Sequence, residues 1–140
     1  MYERAGRILY WTLAIAVAVS VVHYIDNYAN YDDYPVPHAH SRFPVPSATV
    51  VGVSWFVFTA FGAAAVLLWR RRAIAWSAAA LGVYSLSGLV GIVHYLMPGA
   101  TDMAWWRQTH VILDIACGLA LLAFAVWAGV RHGELGETRR

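Results

Sequence analysis

The chain has 140 residues, of which 60% are hydrophobic and only 13% charged, and its mean hydropathy is +0.53. An ordinary soluble domain, with roughly 45–50% apolar and about 25% charged residues, is excluded, and an all-α integral membrane protein is expected. The formal net charge of +2 is too small to imply a nucleic-acid partner, and the single cysteine, Cys117, rules out an internal disulfide and reads as packing.

Spans of about 20 residues leave room for one domain, residues 1–130, and a short polar tail, 131–140. All ten basic residues are arginine, in a chain heavy with Ala, Val and Gly. That bias fits a high-GC, bacterial genome.

The first span is predicted over residues 8–25, directly after Arg4 and Arg7. Ala14, Ala16 and Ala18 resemble a signal-peptide cleavage site but lie in the middle of the apolar run, so a retained helix is expected. Tyr24, Tyr28 and Tyr31 continue at helical spacing beyond it and mark an aromatic belt at the membrane surface. Residues 26–46 form an outer loop. Pro35 should stop the helix, and the prolines that follow predict an extended segment, without regular helix, that folds back over the outer mouth of the bundle. His38 and His40 in that loop form an H-x-H pair that would lie above His23.

The second span is predicted over 47–69 and ends on Arg70, Arg71 and Arg72, a basic turn into the third span at 73–97. Ser85, Ser87, Gly88 and Gly91 in the third span allow another helix to approach closely. Pro98 and Gly99 end it, Trp105 and Trp106 mark the interface again, and the fourth span covers 109–130. The expected architecture is a four-transmembrane-helix bundle. Arg4, Arg7, the Arg70–Arg72 turn, Arg131, Arg139 and Arg140 fall on one side of it, which predicts a multi-pass protein of the bacterial cytoplasmic membrane with both termini cytoplasmic.

Spans one and three both run outward and end in a V-H-Y sequence, VVHY at Val21 to Tyr24 and IVHY at Ile92 to Tyr95, which suggests two tandem helical hairpins whose His-Tyr pairs face each other. His110 and Asp114 lie one helical turn apart at the start of span four and share a face. An ionisable residue inside an apolar span is costly and is read as functional.

His23, His94, His110 and Asp114 are therefore the expected metal ligands, with Asp26, His38 and His40 as further candidates, and imidazole with carboxylate suits Zn, Cu or Fe. A redox metal, or a bound water made acidic by the ion, would supply redox or hydrolytic chemistry. A second reading is a b-type haem held by a pair of histidines for electron transfer, with Gly88, Gly91 and Gly118 making room and Arg42 or Arg107 meeting its propionates. A third is a structural or assembly subunit with no cofactor, packed against a membrane-protein partner or a second copy of itself. In that case His110 caps its helix and Asp114 is a hydrogen-bonded acid between helices. Arg107 could also pair with Asp114. No Glu lies within any span, which argues against a carboxylate di-iron centre. Imidazoles whose nitrogens aim at one point favour an ion, whereas a wider gap lined by glycines favours haem. No substrate or reaction is named by these residues.

Overall fold

The computed structural model describes residues 1–35 and 46–137. Every regular element among them is helical: α1 (Tyr2–Ala29), α2 (Ala48–Arg70), α3 (Ile74–Leu89), α4 (Ile92–Tyr95), α5 (Trp105–Val130) and α6 (His132–Gly136), with single 3₁₀ turns at Tyr31–Asp33 and Ala100–Asp102. Four stretches, Tyr2–Ala29, Ala48–Arg70, Ile74–Tyr95 and Trp105–Val130, are each long and apolar enough to cross a membrane.

The four long helices alternate in direction and form a closed ring in which α1 packs beside α2 and α5, and α3 packs beside the same two. Short connections produce this antiparallel arrangement: Arg71–Ala73 join α2 to α3, with Arg72 in a left-handed conformation (φ 61°) that reverses the chain. Ser47 caps α2, its hydroxyl accepting from the Val50 N–H at 3.3 Å.

The exterior is apolar and the polar groups lie inside, as a lipid-facing bundle requires. Trp11, Phe56, Trp76 and Val126 point outward and are at least 60% exposed, whereas Ser20, Ser77, Ser85, Ser87, His23 and Asp114 are buried. Each buried serine finds a partner on or across the helices; Ser77 Oγ donates to the Ala65 carbonyl at 2.7 Å and so ties α3 to α2.

Contact between α3 and α5 is set by two glycines. A Cβ at Gly88 would stand 2.2 Å from the Asp114 carbonyl oxygen, and one at Gly118 would stand 2.8 Å from that of Ser85. The two backbones touch where these residues meet, which is the use of small residues expected in a membrane interface.

The interior divides along the bundle axis. Around the chain ends and the Arg70–Arg72 turn the core is apolar, with Leu9, Leu13, Leu81 and Leu121 at its centre and Trp69 buried beneath them. This end also carries α6, which lies within the polar tail; Leu135 is fully buried there. The opposite end contains the buried ionisable residues.

Candidate functional site

Three helices bring the site together. The C-terminal end of α1 supplies His23, Asp26 and Asn27, the start of α5 supplies Arg107, His110 and Asp114, and α4 supplies His94. α4 is the continuation of α3 in a tighter winding. Bonds from Gly91 N to Gly88 O, Val93 N to Val90 O and His94 N to Gly91 O span three residues instead of four, which turns the helix by a different angle and aims His94 inward. The segment then ends at Pro98 and Gly99, the latter at φ 82°.

His23 is the centre. Its Nδ1 lies 2.7 Å from Asp114 Oδ2, with both side chains almost wholly buried. An ionised carboxylate only accepts, so Nδ1 carries the proton and, in the neutral ring, Nε2 presents a lone pair. That Nε2 is buried and has no hydrogen-bond partner among the described residues. The His94 and His110 rings flank it, with centroids 5.8 and 5.6 Å from that of His23. Two imidazoles that share one ion at about 2.0–2.1 Å have ring centres roughly 5–6.5 Å apart, so the spacing suits a shared ion.

The nitrogen directions are less regular. His94 Nε2 accepts from Asn27 Nδ2 at 3.1 Å, and both nitrogens of His110 are buried without a hydrogen-bond partner among the described residues. Among the described residues no three His, Cys, Asp or Glu side chains converge as a metal ion requires.

A second network closes the site at the end of the bundle. Asp26 accepts from Tyr34 Oη at 2.5 Å and Arg107 Nε at 2.9 Å on Oδ2, and from Asn30 Nδ2 at 2.7 Å on Oδ1. Arg107 also reaches Asp33 at 3.1 Å, a residue whose side chain is 61% exposed. His110 Nε2 lies 3.4 Å from Asp26 Oδ2, which links the two networks. Burial, together with the neighbouring Asp26 carboxylate, pushes the Tyr34 phenol well above its usual range, so it remains a hydrogen-bond donor. Outside this layer lies a cavity of ≈ 350 Å³ lined by Asp33, Tyr34, Asp102 and Arg107 among others.

No known family, curated protein or solved structure matches the chain.

The structure therefore brings His23, His94, His110 and Asp114 together, with changed roles. Asp114 orients His23 and does not pair with Arg107, which is held by Asp26 and Asp33. Asp26, expected as a further ligand, already accepts three hydrogen bonds. His110 sits in the second turn of α5 and caps nothing. The glycines expected to make room for a haem are filled by neighbouring backbone at Gly88 and Gly118, and a Cβ at Gly91 would meet Gly88 O at 3.0 Å. Arg107 is likewise engaged where a propionate was expected. His38, His40 and Arg42, and with them the loop expected over the mouth, lie outside the described residues.

Sequence reasoning missed Tyr34 and Asp33. The signal available was the acidic pair beside a tyrosine directly before Pro35, one turn past the end of a helix whose inner face already carried Asp26.

Proposed function

We propose that this protein is a multi-pass membrane protein that binds a transition-metal ion, Zn, Cu or Fe, through His23 Nε2 with His94 and His110, for redox or hydrolytic chemistry. The observation that carries this reading is His23 itself: one ring nitrogen is clamped by a buried carboxylate, the other is buried without a hydrogen-bond partner among the described residues, and two more imidazoles lie beside the ring. A carboxylate behind a ligating histidine fixes its tautomer and raises its basicity, and an orphaned buried nitrogen costs free energy until something occupies it. His94 joins the ion by exchanging its Asn27 hydrogen bond for a metal bond. Such a nitrogen-rich set suits Zn, Cu or Fe better than Mg or Ca.

The haem reading is the weaker of the two, because the space it needs at Gly88 and Gly118 is taken by backbone. Metal analysis and an absorption spectrum of the purified protein test both. About one transition metal per chain, lost on His23→Ala and retained on His132→Ala, is expected. A Soret band would favour haem, and a protein that holds neither after metal loading would leave a structural or assembly subunit, paired with another membrane protein or with itself.

The orientation proposed places the site at the outer face of a bacterial cytoplasmic membrane. Arg4, Arg7, the Arg70–Arg72 turn and Arg131 gather at the other end, and the positive-inside rule makes that end cytoplasmic, with both termini. A cysteine at Asp32 should then react with an impermeant thiol reagent in intact cells, and one at Arg71 only after lysis; the reverse pattern refutes the orientation.

A further inference from the structure

Between α1 and α2, on the lipid-facing side of the outer half, the helices part around an apolar groove of ≈ 480 Å³. Val21, Tyr24 and Tyr28 form one wall, and Thr49, Gly52 and Phe56 form the other. The parting is pinned at both ends. Below, Trp55 Nε1 donates to Ser20 Oγ at 3.1 Å and ties α2 to α1; above, the Tyr31 hydroxyl bonds the Pro46 carbonyl. At Gly52 the two walls touch, since a Cβ there would press on the Tyr28 ring at 3.1 Å, and the groove runs beside that contact.

We propose that this groove holds one acyl chain of a bilayer phospholipid. Its walls belong to two of the four membrane-crossing helices, so the medium that covers it is lipid. An apolar space of this size is within the range of about 300–1,000 Å³ of ligand sites. The eight-residue rise from Val21 to Ala29 is about 12 Å, close to the depth of one leaflet's hydrocarbon, roughly 15 Å. A chain lying along it meets a mainly apolar and aromatic lining, with Thr49 at the end nearest its head group. Because lipid tails are as apolar as the groove, what holds the chain is shape, through packing against Tyr24, Tyr28 and Phe56. Tyr24 is shared with the histidine cluster: its ring centroid is 5.5 Å from that of His23 and its hydroxyl donates to the Ser87 carbonyl at 3.2 Å. The proposal stands whether or not His23 binds a metal.

The test uses the full chain in phosphatidylcholine vesicles that contain a small fraction of phosphatidylcholine with a diazirine in the middle of one acyl chain. After illumination, adducts are mapped by mass spectrometry. Labelling at Tyr28, Gly52 and Phe56 should exceed that at Trp76 and Val126, exposed apolar positions outside the groove, several-fold. Val53→Trp, which adds bulk at an exposed residue of the groove wall, should remove most of the groove adducts and leave the others. Val57→Trp, one turn away and outside the groove, should change nothing. Uniform labelling over all lipid-facing residues, or unchanged groove labelling in Val53→Trp, would overturn the proposal.

Discussion

Replacing Asp114 with asparagine isolates what the carboxylate does for His23. The side chain keeps its size, and its Oδ1 can still accept from Nδ1–H, so the ring stays in place at a position where Asp114 is 2% exposed and His23 is 2% exposed. The negative charge 2.7 Å from the ring is what disappears. Carboxylates in this position behind a ligating histidine contribute about 10–100-fold in metal affinity, which is about 1.4–2.7 kcal/mol. Competitive titration of Zn²⁺ against a chromophoric chelator, in detergent, measures the difference directly. His132→Ala on α6, far along the bundle from His23, serves as the unchanged control, and the helical circular dichroism of each variant reports folding. An Asp114→Asn protein that is folded and binds metal as tightly as the native chain would refute the role assigned to the dyad, and with it the main support for the metal reading.

Other expectations follow from the same contacts. Gly88→Ala places a methyl 2.2 Å from a carbonyl oxygen and should lower the thermal unfolding midpoint in detergent, with a cost of about 1–3 kcal/mol or more, whereas Gly82→Ala meets nothing within 4 Å and should not destabilise. Arg107→Ala leaves the Asp26 carboxylate buried without its cation and should cost about 3–5 kcal/mol; Arg107→Lys, unable to reach Asp26 and Asp33 together, should recover only part in the same unfolding measurement. Tyr34 has a raised folded-state pKa, so its contribution to stability is present below the ordinary tyrosine range and is lost as pH rises from about 10 towards the folded value. Unfolding midpoints should accordingly fall above about pH 10 more steeply in the native chain than in Tyr34→Phe. Asn27→Ala frees His94 Nε2 and should leave metal affinity equal or tighter; a large loss would place Asn27 itself on the ion.

The helices were legible because their cause is local in sequence: long apolar runs, arginines at one end, Pro98 and Gly99 at a stop. The three histidines and Asp114 stood out for the same reason, as polar residues where burial is expensive. Their pairing did not. Which carboxylate meets which cation depends on helix rotation and on the separation of α3 and α5, and that separation is set by Gly88 and Gly118 meeting opposed carbonyls. Glycine spacing alone reads equally as a gap for a cofactor or as a close contact. The change of winding at Val90–His94 was hidden too, since the residues there are ordinary helix formers, and Tyr34 enters the site from a turn that no hydrophobic period describes.

The leucine layer beneath the site has an electrical consequence. Leu9, Leu13, Leu81 and Leu121 fill the bundle between the histidines and the far end and contribute no polar atoms from their side chains. If an ion is bound at His23 as proposed, that apolar layer separates it from the Arg70–Arg72 end of the bundle. A unit charge carried fully across a membrane gains about 2.3 kcal/mol per 100 mV, and the occupancy of an ion that stops at His23 should respond to membrane potential by less than that full value.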